Sequence, residues 1–67
     1  MVIRVRILPE NREIEIKEHC IRIRDLLKEL GLSREEAVVL RNGRVVLEDE
    51  IAHDGDNIEV LRAVSRG

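Results

Sequence analysis

Ile23-Arg24-Asp25-Leu26-Leu27-Lys28-Glu29-Leu30 interrupts a chain that otherwise alternates with a period of two. Its apolar residues stand at i, i+3, i+4 and i+7, one face of a helix. Arg24, Asp25, Lys28 and Glu29 take the other face. Gly31 follows and suits the left-handed stop that ends a helix. The start is poorly marked, since Arg22 is a weak capping residue. A single short helix set among strands makes the fold class α+β.

Working outward toward the N-terminus, Ile3, Val5 and Ile7 alternate with Arg4 and Arg6, so residues 2–8 read as a half-buried strand. Pro9-Glu10-Asn11-Arg12 is a turn by composition. Ile14 and Ile16 then alternate with Glu13, Glu15 and Lys17 as a second strand. The outward Arg and Glu of this hairpin face each other favourably. On the C-terminal side, Ser33-Arg34-Glu35-Glu36 has capping-box spacing but room for one turn at most. Ala37 to Arg41 and Arg44 to Leu47 are strands separated by Asn42-Gly43, the strongest short hairpin signal. A two-residue loop sets Arg41 against Arg44, Leu40 against Val45, Val39 against Val46 and Val38 against Leu47. Glu48-Asp49-Glu50 begins a polar connection with Ile51 as an anchor, and Asp54-Gly55-Asp56-Asn57 is a tight turn. Ile58 and Val60 alternate with Glu59 and Leu61 in a last strand. The expected core is Ile3, Val5, Ile7, Ile14, Ile16, Leu26, Leu27, Leu30, Val38, Leu40, Val45, Leu47, Ile58 and Val60. Residues 1–63 form the domain, and 64–67, lacking a period, are a flexible C-terminal tail.

Sixty-seven residues allow one small domain, with eight each of Val, Ile and Leu and no aromatic side chain. That aliphatic content argues against disorder. The missing rings exclude a stacking platform for single-stranded nucleic acid. No apolar run approaches the roughly 18 residues of a membrane span. Ten Arg against two Lys, within a 39% charged composition, fits a thermophilic protein with ion-pair networks. One free Cys and no signal-peptide pattern at the start lead to a cytoplasmic expectation.

The candidates for chemistry fall away one by one. His19 and Cys20 are adjacent, so on a strand they point to opposite faces. An exposed His beside a buried Cys accounts for them. His53 lies in a polar loop with no evident nucleophile near it. Asp54-Gly55-Asp56 lacks the further ligands of a calcium loop. The acids at 48, 49, 50, 54 and 56 are solvated turn residues or a negative patch, and either argues against an extended nucleic-acid surface. No catalytic or metal-ligating residue is assigned, and the chain is not expected to be an enzyme. What remains is the end of the sequence, where a strand leads into Val64-Ser65-Arg66-Gly67. A glycine without Cβ could thread a narrow channel.

At this point the residues are similar to a known family. The strand and helix order resembles the ubiquitin-like β-grasp. The segment Val38-Val39-Leu40-Arg41-Asn42-Gly43, then Asp54-Gly55-Asp56-Asn57-Ile58-Glu59-Val60, then Ala63-Val64 and a final Gly, resembles ThiS/MoaD-type sulfur carriers along the whole chain. The resemblance implies a mixed sheet of four to five strands, in order 2-1-5-3-4, packed on one helix. It also implies a carrier with no bound cofactor. An E1-like enzyme would use ATP to adenylate the C-terminal carboxylate of Gly67. A sulfur donor would convert it to a thiocarboxylate, and a downstream sulfur-accepting enzyme would draw on it for cofactor biosynthesis or tRNA thiolation. Covalent attachment to protein lysines is a related role. Val64, Ser65 and Arg66 carry over as the tail. The family pattern ends in Gly-Gly where this sequence has Arg66-Gly67. Either one glycine follows Gly67, or Arg occupies the penultimate position.

Projected onto that strand order, the outer sheet face reads as a Glu-Arg-Glu ladder beside an apolar patch. The patch comprises Val39, Val46 and Leu61 with Arg41 and Arg44, and is the expected partner-binding surface. The reading from another class is a non-covalent interaction module that uses this face and never activates its tail.

Overall fold

The computed structural model describes residues 2–62. The expected alternations produce β1 (Ile3–Leu8) and β2 (Arg12–Ile16), joined through the turn at Pro9. A short strand, β3 (Cys20–Arg22), runs straight into α1 (Ile23–Leu30). Then come β4 (Ala37–Arg41) and β5 (Arg44–Val46), a second short strand β6 (Ile51–His53), and β7 (Asn57–Arg62). The main sheet has the order β2-β1-β7-β4-β5, and β3 and β6 pair in a separate two-stranded sheet. With those two short strands set aside, the main sheet has the expected 2-1-5-3-4 order. The central pair β1 and β7 is parallel, and the outer pairs are antiparallel. This is the β-grasp arrangement, with the sheet folded over α1.

The helix ends as its sequence directs. Gly31 adopts φ 74°, and the last carbonyls are taken up by the N–H groups of Gly31 and Leu32. Its start is solved from outside the helix. Arg22 makes no side-chain cap. Instead the carbonyls of Glu50 and Glu48 accept the N–H groups of Ile23 and Arg24 at 2.8 and 3.0 Å. The connection that follows β5 therefore caps α1, satisfying donors that every helix start leaves open. Its acids are occupied as well. Asp49 pairs with Arg24 at 2.8 Å, Glu48 with Arg34 at 3.6 Å, and a Glu50 carboxylate oxygen accepts the Leu47 N–H at 3.1 Å. Negative charge beside a helix N-terminus is favourable. Residues 48–50 act here as a cap rather than as a free negative patch.

The core comprises Ile23, Leu26 and Leu27 of the helix packed on Ile3, Val5, Ile7, Ile16, Val39, Ile58 and Val60, with Ile21 and Ala52 from the small sheet. One expectation is overturned here. The β4–β5 register is as expected, with Val39 against Val46 and Leu40 against Val45. The faces are reversed. Val39 is 3% exposed and belongs to the core, and Val46 packs against it. Val38, Val45 and Leu47, expected inside, are 47%, 65% and 70% exposed. Leu40 is only half-buried. The cause is the pairing of β4 with β7, which sets Val39 directly opposite buried Val60. Residues directly opposite share a face, so Ile58 and Val60 pull Val39 inward with them. Arg41 and Arg44 share the parity of Val39 and Val46, which is what made that face look like the outer one. Arg41 sits at the sheet's end, opposite Ile58, and turns its guanidinium to the Ile51 carbonyl at 2.8 Å. Its charge never enters the core.

Cys20 is exposed, not buried, and His53 ends a strand rather than lying in a loop.

Candidate functional site

The two faces of the main sheet divide the labour. The helix side is closed by the core, so of the main sheet only the outer face and the ends of the strands are open to a partner. On the outer face, strand register sets out two rungs of different character. Leu8 lies beside Leu61, and Leu61 beside Val38, an apolar row across β1, β7 and β4. Arg6 lies beside Glu59, Glu59 beside Leu40, and Leu40 beside Val45, so the next row passes from charge to aliphatic. Leu47 continues the parity of Val45. The expected charge ladder is present on the other half: Arg4 faces Glu15, and Arg6 faces Glu13 with a 3.1 Å ion pair.

Exposed aliphatic side chains therefore cluster at one corner, rimmed by Arg6, Glu59 and Glu13. That corner holds the end of β7. Leu61 is part of the apolar row, and Arg62 next to it is held by Glu10 of the β1–β2 turn at 2.8 Å. Arg62, the last described residue, therefore stands beside the patch.

Of the five residues expected to bind a partner, only Leu61 lies on this face. Val39 is buried, and Val46 is turned toward the core. Arg41 is tied to β6, and Arg44 has the parity of Arg41 on the hairpin. The aliphatic members the sequence reading put inside are Val38, Leu40, Val45 and Leu47. The signal that would have found them is the β4–β7 register, which no tight turn specifies. The expected activated residue Gly67 and the tail residues Val64, Ser65 and Arg66 lie outside the described residues.

The hairpin tip is held in place by an Asn-Asp network. Asn42 and Gly43 take φ 53° and 88°, as a two-residue turn of this kind requires. The Asn42 N–H donates to the Asn57 carbonyl at 2.8 Å, and the Asn57 N–H to Asn42 Oδ1 at 3.0 Å. Asp56 completes the network by accepting from the His53 N–H at 2.8 Å and from Asn42 Nδ2 at 3.2 Å. The bond from the His53 backbone, with help from Asn42 and Arg41, holds the Asp56 carboxyl below its ordinary value, against a smaller opposing effect of burial. A carboxyl with a depressed folded pKa stabilises the fold above its unfolded value of 3.8, and the effect is lost as pH falls through the folded value. Asp56→Ala is therefore expected to cost roughly 1–3 kcal/mol at neutral pH, the penalty for unpairing such donors. The gap between variant and parent should shrink as pH falls below the ordinary value of 3.8 and on through the depressed folded value, where the parent's carboxyl protonates as well. Denaturant unfolding at neutral and acid pH measures both. A gap that does not change with pH would show that the Asp56 charge plays no part.

Among the described residues, no group of three or more His, Cys, Asp or Glu is placed to hold a metal ion. Nor is any helix among the described residues long and apolar enough to cross a membrane.

The comparisons with known proteins agree with one another. The profile of the family described as small archaeal modifier protein 2 matches residues 1–64. The sulfur carrier protein TtuB of Thermus thermophilus is 43% identical over 61 residues, covering 90% of this chain and 91% of that protein. Among solved structures, SAMP1 from Haloferax volcanii superposes with a TM-score of 0.74 at 18% identity, covering 100% of both chains. The complex of subunits 1 and 2 of molybdopterin-converting factor from Helicobacter pylori gives 0.67 at 24% identity, again with 100% of both chains. At those identities the two structures bear on the fold alone.

Proposed function

We propose a mode of action from one premise: the chain belongs to the small archaeal modifier protein 2 family and is a ubiquitin-like sulfur carrier. The domain is a handle, and the group that carries sulfur is the carboxylate of the C-terminal glycine, either Gly67 or a glycine that follows it. A carboxylate is a poor electrophile, so an E1-like partner first joins it to AMP. The carboxylate oxygen attacks the α-phosphorus of ATP, and pyrophosphate leaves. A sulfide equivalent from a sulfur donor then adds to the acyl carbon. The C–S bond forms, the bond to the AMP oxygen breaks, and a thiocarboxylate remains. The partner supplies ATP and catalysis. The carrier then delivers sulfur to an accepting enzyme in cofactor biosynthesis or tRNA thiolation, in the cytosol. Lysine attachment is the same acyl chemistry with an amine as the nucleophile.

The observation that carries this reading is the match to a sulfur carrier over nine-tenths of both chains. The geometry supports it by placing the apolar corner of Leu8, Val38, Leu40, Val45 and Leu61 beside Arg62. A partner that buries the corner is positioned to take up whatever follows Arg62. Buried aliphatic contact at the centre with charge at the rim is the usual build of a protein interface.

The test uses intact mass. The 67-residue chain and a version extended by one glycine are each incubated with ATP, an E1-like enzyme and a sulfide source. A thiocarboxylate raises the mass by about 16 Da, the exchange of oxygen for sulfur at the terminal group. Conversion of only the extended chain would assign the reaction to a second glycine. Binding with no mass change in either chain would overturn sulfur carriage in favour of a non-covalent module.

A further inference from the structure

We propose that Cys20 and His53 form half of a tetrahedral metal site, completed by the same pair from a second copy of the chain around a zinc-class ion. The sequence sets Cys20 beside His19, a pair that strand alternation separates. The fold gives Cys20 a different histidine. In the β3–β6 sheet Cys20 pairs directly with His53. Both strands alternate exposed, buried, exposed, so Ile21 and Ala52 point into the core while Cys20 and His53 share the solvent face. The Asp54 N–H donates to the His19 carbonyl at 2.7 Å, which makes the neighbouring Cys20–His53 pair a non-hydrogen-bonded position. That is where cross-strand side chains approach most closely, with Cβ atoms about 4.5–5.5 Å apart.

The chemistry of the pair suits a borderline-soft d10 cation. Thiolate and imidazole are the two preferred zinc ligands, at about 2.3 and 2.0–2.1 Å, and adjacent cross-strand Cβ atoms let both reach one ion. Both ligands stand on settled backbone. Ile21 and Ala52 anchor the rung in the core, and the His53 N–H is held by Asp56 at 2.8 Å. His19 behaves differently: its Nδ1 lies 3.3 Å from Asp54 Oδ2. Among the described residues neither the Cys20 thiol nor the His53 ring has a hydrogen-bond or ion-pair partner of that kind. An unpaired cysteine is most often buried as a small hydrophobe, whereas this one is exposed next to an imidazole.

One chain supplies two ligands, and no cluster of three exists among the described residues. A structural zinc site needs four. A second copy related by a two-fold axis contributes the matching Cys and His. Two thiolates then balance the charge of the divalent ion, with Arg22 and Ile51 on the flanking rung of the same face.

Cobalt(II) is the probe, titrated into the reduced 67-residue chain and then displaced by zinc. We expect a thiolate-to-cobalt charge-transfer band with tetrahedral visible absorption, saturating at one metal per two chains. Dimer should appear by sedimentation only with metal. Cys20→Ser and His53→Ala should each lose the band and the dimer while keeping the parent's circular dichroism, and His19→Ala should keep both. Absence of the band, its survival in His53→Ala, or saturation at one metal per monomer would overturn the proposal.

Discussion

Val39→Asp unfolds the domain, while Val45→Asp leaves it folded. The two positions lie on neighbouring strands of one hairpin, and their chemical change is identical, so the contrast isolates the direction each side chain faces. Val39 is 3% exposed and sits opposite Val60, which is fully buried. A carboxylate there has no partner among Ile58, Val60 and Val46. Burying it ionised, or protonating it to avoid that, costs several kcal/mol. A domain of this size begins with little reserve, because small chains bury a smaller share of their surface. A penalty of that order removes most of a typical stability of about 5–15 kcal/mol. Val45 is 65% exposed, so Asp there loses little burial. What it forgoes is strand propensity, a scale spanning about 1 kcal/mol. Urea unfolding followed by circular dichroism reads both variants. If Val45→Asp proved the unfolded one, the face assignment of the hairpin would be wrong.

That contrast marks where the sequence was legible and where it was not. Strict alternation of Ile3, Val5 and Ile7 with arginines admits a single inward face, and β1 follows it. The spacing from Ile23 to Leu30 and the glycine after it define α1 to the residue. Asn42-Gly43 sets the hairpin register through a local requirement for positive φ. The face of that hairpin is not a local property. Ala37-Val38-Val39-Leu40 is apolar on both sides, so alternation cannot choose between them. The choice is made by β7, which meets β4 only after the chain has passed through residues 47–56. The arginines at 41 and 44 then misled, because an arginine at a strand's end can share the core's parity and still bend its charge away. The small sheet was hidden for another reason. Three residues are too few to establish a period, and Cys20–Arg22 and Ile51–His53 become strands only because they pass each other. The same brevity concealed the cap on α1, which is made of backbone carbonyls that leave no side-chain signature.

The apolar corner should matter to the partner far more than to the fold. Leu61→Asp and Val45→Asp are each expected to lower the efficiency of adenylation by the E1-like enzyme by roughly 10–100-fold, the range of a buried interface anchor. The loss should fall mainly on KM, since the carboxylate that reacts is unchanged and only docking is weakened. Leu61 lies in the row with Leu8 and Val38, and it directly precedes Arg62, which Glu10 holds. Arg44→Ala serves as the counter-case. Arg44 shares the parity of Val46 and Val39 rather than that of the corner, so its loss should change efficiency less than about threefold, as expected of a residue outside the contact. ATP–pyrophosphate exchange at varied carrier concentration gives KM and kcat for each variant. Sensitivity at Arg44 with indifference at Leu61 and Val45 would move the docking surface to the hairpin's other side. A loss at Leu61 confined to kcat would mean that the residue guides the reacting end rather than anchoring the handle.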